Sequence, residues 1–275
     1  MNQTINCGGK LLSLSSPIVM GILNLTPDSF YDGGKQADHY LESVEQMLEE
    51  GAGIIDIGGM STRPKGKEVE VEEELNRVIG PIEQINQRFP EAILSIDTYR
   101  ARVAKEAIGA GAHIVNDISG GTMDDDMFPT MGILKVPYIL SHIQGNPSNM
   151  QDAPHYEDVV IEVMQFFARS LESLNQLGVA DIIIDPGFGF GKTLEHNYAL
   201  LHHLNYFSSL HRPILAGISR KSMINKVIDT KAAEALNGTS VLNTIALLHG
   251  ASILRVHDVK EAVECVKLVE FMRNN

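Results

Sequence analysis

Apolar residues in this chain fall into short, near-continuous runs, and between the runs they recur every three or four positions. Eight runs stand out: IVMGI (18–22), GIIDI (53–57), ILSID (93–97), HIVND (113–117), PYILS (137–141), DIIID (181–185), PILAG (213–217) and SILRV (252–256). Runs this short, rich in Ile and Val, suit strands buried on both faces, as in a parallel sheet. The intervening stretches carry helical spacing. VEEELNRVIGPIEQI (71–85) predicts a helix, with Pro81 as a point where it breaks or kinks. One order of events repeats: an amphipathic stretch closes on glycine, a β-branched run follows, then polar residues and glycines. It appears in EEGAGIIDIGG (49–59), GAGAHIVNDISGG (109–121), LGVADIIIDPG (177–187) and HGASILRVHD (249–258). Glycine just past a helix supplies the left-handed residue that ends it. Eight such β/α units in roughly 250 residues predict an α/β fold, a TIM (β/α)8 barrel, as a single domain over residues 1–275. A doubly wound open sheet is the alternative, with fewer strands and a switch point.

In a barrel the C-terminal strand ends form one face, where active sites are built. The polar residues at those ends are Asn24 after the first strand, Thr62 and Arg63 after the second, Asp97 on the third, and Asn116 and Asp117 on the fourth. Ser141 and His142 close the fifth, Asp185 the sixth, Lys221 follows the seventh, and Arg255 and His257 flank the end of the eighth. Each has an ordinary alternative. Asp97 before Thr98 suits a helix cap, Asn116 a turn, Lys221 a solvated helix, His257 the surface and Arg63 a loop. Their joint occurrence at predicted strand ends weighs against the ordinary readings. Asp97, Asn116 and Asp185 supply acceptors for a flat heterocycle bearing several N–H groups, since a carboxylate can take two parallel N–H bonds. Arg63, Lys221, Arg255 and His257 supply donors for an anionic oxygen cluster. Glycines 187, 189, 191 and 217 leave room for a planar ring, and Phe188 or Phe190 can stack on it. The bland reading of the glycine-rich loop is a tight turn.

Composition narrows the partners. The chain is 44% hydrophobic with a formal net charge of −13, which argues against nucleic acid. It has no run of apolar residues long enough for a membrane helix, and MNQTINCGGK does not read as a secretory signal. Cys7 and Cys265, far apart and without metal spacing, point to a reducing cytosol, so a cytoplasmic location is expected. DPGFGFGK satisfies neither the GxxxxGK[ST] phosphate loop nor GxGxxG, and no zinc signature or GxSxG occurs.

Taken in order, MGILNLTPDSFYDGG, GGMSTRP, DTYR, NDISGG, HIQGNP with the later MQ, DPGFGFGK, GISRKSM and RVHDV strongly resemble the dihydropteroate synthase family, from Met20 to Val259. The resemblance implies a TIM barrel and a Mg2+-dependent transferase of folate biosynthesis. Its substrates would be 4-aminobenzoate and (7,8-dihydropterin-6-yl)methyl diphosphate, its products 7,8-dihydropteroate and diphosphate. It implies Asn24 as the metal ligand, and Asp97, Asn116, Asp185 and Lys221 as pterin contacts beside Gly217. Arg63, Arg255 and His257 would anchor the diphosphate, and Thr62, Pro64, Phe190 and Ser222 would wall the arylamine. Asp28, Phe30 and Asp32 would lie in a lid, with Asp32 contributing to the chemistry. A homodimer is also implied. The chain departs from the family pattern at Met60, commonly Glu, and at Ser141 and Ile143, commonly Met. A corrinoid-linked methyltransferase on a related barrel has no need of STRP or RVHD. A pterin binder without turnover is the third reading.

Overall fold

A computed structural model describes residues 4–25, 36–60 and 69–275. A hairpin of β1 (Thr4–Cys7) and β2 (Lys10–Ser13) precedes the repeating part. Then follow β3 (Ile18–Asn24), α1 (Gln36–Glu49), β4 (Ile54–Gly58), α2 (Val71–Arg88), β5 (Leu94–Asp97), α3 (Ala101–Gly109), β6 (Ile114–Asp117) and α4 (Met127–Leu134). The second half holds β7 (Tyr138–Ser141), α5 (Val159–Gln176), β8 (Ile182–Asp185), α6 (Leu194–His202), β9 (Leu215–Ala216), α7 (Ser222–Ile228), α8 (Leu236–Leu248), β10 (Ile253–Val256) and α9 (Val259–Arg273).

Strands β3 to β10 form one parallel sheet in the order β8-β7-β6-β5-β4-β3-β10-β9. A parallel bridge between Ile184 and Ile214 joins its two edges, with the Ile184 N–H donating to the Pro213 carbonyl at 2.9 Å. The eight predicted runs are the eight strands of this barrel. The PILAG run yields only two strand residues, because Pro213 has no N–H to give a ladder.

Side chains alternate across each strand. Ile55, Ile57, Leu94, Ile96, Val115 and Leu140 face outward and pack under the helices, against Val78, Ile82 and Ile85 of α2 and Phe167 and Leu174 of α5. Met20, Ile54, Ile93, Ile114, Ile139, Ile183, Leu215 and Ile253 face inward and form a separate cluster. The hairpin, which the runs did not predict, adds Ile5 and Cys7 to that inner cluster, and Leu14 just after it joins them. Two positions further along the same strands the inner wall turns polar, with Asp56, Ser95, Asn116, Ser141, Asp185 and Arg255. The inner lining is therefore an apolar layer topped by a charged one.

Helix α2 runs through Pro81 without a break. Its acidic first turn, Glu72 to Glu74, and Arg88 at its end complement the helix dipole. Burial of Val78, Ile82 and Ile85 against the sheet outweighs the hydrogen bond lost at the proline. No described helix is long and apolar enough to cross a membrane.

Phe167 is fully buried between sheet and helix and stacks edge-on with Phe207 at 5.8 Å. Phe167→Ala is expected to lower stability by about 3–5 kcal/mol, read as a shifted urea midpoint with unchanged slope.

Candidate active site

The charged layer is organised around Arg255 on β10. Its Nε donates to Asp56 Oδ2 at 2.6 Å and its Nη2 to Asp97 Oδ2 at 2.6 Å. Asp56 stands in the middle of β4, fully buried, and also accepts from Asn116 Nδ2 at 3.0 Å. Three strands thus meet at one guanidinium, and Asp56 ties in a fourth through Asn116. Burial raises the Asp97 pKa to about 7, with the Arg255 contact opposing that rise and Asp56 adding to it. Burial would lower the Arg255 pKa, but Asp56 and Asp97 more than reverse this, so the guanidinium stays charged. Among the described residues, Asp56 Oδ1, Asp97 Oδ1 and Ser141 Oγ are buried without a hydrogen-bond partner.

Across the mouth, Asp185 ends β8 and accepts from the Gly187 N–H through Oδ1 at 2.8 Å. Gly187 has φ +72°, and a Cβ there would lie 1.9 Å from the His142 carbonyl oxygen, so only glycine lets the chain turn so close to β7. A Cβ on Gly217 would sit 3.8 Å from Lys221 Nζ and 3.9 Å from Asp185 Oδ2. These two opposite charges thus border the space that the missing side chain leaves. Lys221 Nζ donates to the Phe188 carbonyl at 2.5 Å and lies 4.3 Å from the centre of the Phe190 ring. Burial lowers the Lys221 pKa to about 8, despite the favourable charge of Asp185. Burial also raises Asp185, and Lys221, the Gly187 N–H and Arg255 work against that rise.

Asp97, Asn116, Asp185, Gly217, Lys221, Phe190 and Arg255 are therefore brought to one mouth. His257 stands exposed on its rim, Nδ1 3.1 Å from Ser219 Oγ, and Ser222 is exposed in the first turn of α7. Thr62, Arg63 and Pro64, and likewise Asp28, Phe30 and Asp32, lie outside the described residues. Phe190 joins Met60, Tyr99, Ile118, Ile143 and Met150 in an apolar cluster, so two of the three departures from the family pattern line one wall. The third, Ser141, puts its partnerless hydroxyl in the charged layer.

Several alternatives are corrected. Asp97 does not cap α3; Asp124 does that work, accepting from the Ala101 N–H at 2.7 Å. Asn116 serves a carboxylate rather than a turn, and Lys221 is half-buried and spent on the Phe188 carbonyl rather than on a solvated helix face. Phe188 is fully buried in the outer core and cannot stack on a ligand. Asp117 points away from the mouth and holds the Ser119 and Gly121 N–H groups and the Tyr138 hydroxyl. Two residues were missed. Asp56 was legible as an acid inside an isoleucine strand, on the inner parity of Ile54. Lys192, 3% exposed, carried no signal beyond its place after the glycines.

A Cβ on Gly58 would come 3.6 Å from Asn24 Oδ1 and 3.8 Å from Asp97 Oδ2, a cradle edged by hard oxygen donors. No described group of three His, Cys, Asp or Glu side chains is placed to hold a metal. The donors fit Mg2+ that keeps most of its ligands from phosphate oxygens and water.

Residues 20–257 match the family model described as pterin binding enzyme. The dihydropteroate synthase of Escherichia coli K12 is 46% identical over 267 residues, covering 95% of this chain and 94% of that protein. The Yersinia pestis dihydropteroate synthase, solved as a sulfonamide drug complex, superposes with a TM-score of 0.94 at 42% identity, over 99% of this chain and 100% of that one. The Xanthomonas albilineans dihydropteroate synthase with 4-aminobenzoic acid gives 0.93 at 37% identity over the whole of both chains. The same enzyme with 7,8-dihydropteroate gives 0.89 at 35%, over 99% of this chain and 100% of that one. With a family model matched across the barrel and relatives aligned nearly end to end, the chain belongs to the pterin-binding enzyme family, among its dihydropteroate synthases.

Proposed function

We propose that the chain joins 4-aminobenzoate to (7,8-dihydropterin-6-yl)methyl diphosphate, giving 7,8-dihydropteroate and diphosphate. The observation that carries this reading is the combination, in one mouth, of buried carboxylate oxygens without protein partners and a fixed guanidinium. Asp185 Oδ2 and Asp97 Oδ1 would accept the N–H groups of the amino-pyrimidinone edge, Asn116 would add a contact at the ring, and Lys221 would meet a ring acceptor. Gly217 leaves the ring its space. Phe190 and its apolar neighbours, with Ser222, Thr62 and Pro64, would hold the arylamine. The relative solved with 4-aminobenzoic acid and with 7,8-dihydropteroate supports both halves of this reading.

Arg255 spends Nε and Nη2 on carboxylates, and Nη1 has no partner among the described residues. We assign that nitrogen, with His257 and Arg63, to the diphosphate. Asn24 would hold Mg2+, which when bound supplies positive charge to the leaving oxygens. The reaction is a dissociative substitution. The methylene C–O bond breaks with its electron pair going to diphosphate, the arylamine nitrogen bonds to the methylene carbon, and its proton leaves to water. A carboxylate nearby, Asp32 included, would stabilise positive charge on the pterin methylene. Because the arylamine is already a nucleophile, placement does most of the work, and no base or triad is required. A cytoplasmic enzyme agrees with the two buried free thiols, Cys7 and Cys265. A homodimer is supported by the exposed Val227 and Ile228 on α7, Val241 and Leu248 on α8, and Leu268 and Phe271 on α9, and sedimentation of the chain reads its mass directly.

Diphosphate release from the pterin substrate, with Mg2+, should require 4-aminobenzoate. Asp185→Asn should cut kcat/KM by about a hundredfold. Tight pterin binding without any release would instead favour a binder that lacks turnover. The pH profile gives a second test. Lys221 acts as a cation, and raising the pH through about 8 removes its proton. The kcat/KM of the wild type should therefore fall on the alkaline side near pH 8, whereas Lys221→Arg, less active but permanently charged, should fall less steeply there, keeping only the loss of the Lys192 proton, whose pKa burial lowers to about 7.

A further inference from the structure

Lys192 is a lysine at 3% exposure that the proposed reaction leaves unused. Its Nζ lies 3.0 Å from His142 Nδ1, 3.1 Å from the His142 carbonyl and 2.9 Å from the Phe190 carbonyl. Burial lowers its pKa to about 7, with the charge of Asp185 opposing that fall, so below neutral pH it is an ammonium. An ammonium has three N–H groups, and here each has an acceptor. His142 serves as an acceptor at Nδ1 because burial, and then Lys192 itself, lowers its pKa to about 2, keeping the ring neutral.

The contacts close a circuit. The His142 N–H donates to the Asp185 backbone carbonyl at 3.1 Å, and the Phe190 N–H donates to the Gly187 carbonyl at 3.1 Å. The Gly187 N–H then donates to Asp185 Oδ1 at 2.8 Å. In this circuit the His142 N–H ties the end of β7 to the near end of the glycine loop, and the ammonium ties it to the far end, at Phe190. The charge of the ammonium also favours the ionised form of Asp185.

We propose that Lys192 is a positioning residue for pterin recognition: its ammonium bolts His142 to the glycine loop and so sets the Asp185 carboxylate before the ring arrives. This rests on the pterin reading of the mouth. Preset placement of Asp185 serves ground state and transition state alike, so its loss appears in binding and KM rather than in kcat.

The test titrates 6-hydroxymethylpterin by fluorescence against the wild type, Lys192→Met and Lys192→Gln at about pH 6, below the Lys192 pKa, with steady-state kinetics and melting curves on each. Lys192→Met should raise the pterin Kd and KM at least tenfold, with kcat at saturation within about threefold of wild type. Lys192→Gln, which keeps two N–H donors but no charge, should fall between. Should Lys192→Met fail to fold, Lys192→Gln is judged by the same split, with a rise of at least threefold in Kd. Folded variants with wild-type Kd, or with unchanged Kd and reduced kcat, overturn the inference. A wild type that does not bind the pterin overturns the reading of the site itself, a separate result.

Discussion

The buried guanidinium of Arg255 is the interaction on which the rest of the mouth depends. It joins the last strand of the barrel to the second and third, across sequence separations of 199 and 158 residues. Burying an arginine is costly, and two carboxylates at 2.6 Å offset that cost. Each carboxylate gives up one oxygen to the arginine and keeps the other. That division sets the charge pattern of the site: on the proposed function, the remaining cationic N–H groups would meet phosphate and the remaining carboxylate oxygens would meet ring N–H groups. Asn116, held by Asp56, is oriented by the same clamp.

Around the clamp, the mouth alternates in sign. Asp56, Asp97 and Asp185 face Arg255, Lys221 and Lys192, so among these described groups the carboxylates and cations balance. Such a balance can bind a neutral heterocycle and an anionic tail in one site without a large net field from either sign. On the proposed function, it would also let a chain of net charge −13 take a diphosphate: cations are gathered where burial makes each one count.

Much of this was legible in the sequence. The eight apolar runs became the eight strands because strands buried on both faces need apolar residues at every position. Residues at the strand ends became the mouth because a barrel puts those ends together. Asp56 was less legible because it stands inside its strand rather than at the end, and only inner parity marks it: Ile54 faces the inner core and Asp56, two residues on, the charged layer. Lys192 escaped because what makes it unusual, three acceptors drawn from two loops, is a tertiary fact. The hairpin of β1 and β2 escaped because its strands, TINC and KLLS, are short and half exposed. Pro81 misled because a local rule was applied where sheet packing decides.

The central claim is that the clamp exists before the ligand and persists with it. The most direct measurement is a crystal structure of the chain with 6-hydroxymethylpterin bound. The account predicts Arg255 still on both Asp56 and Asp97, with ring N–H groups at about 2.7–3.2 Å from Asp185 and from the second oxygen of Asp97. An Arg255 that leaves either carboxylate to meet the ring, or a ring bound away from Asp185, would contradict it.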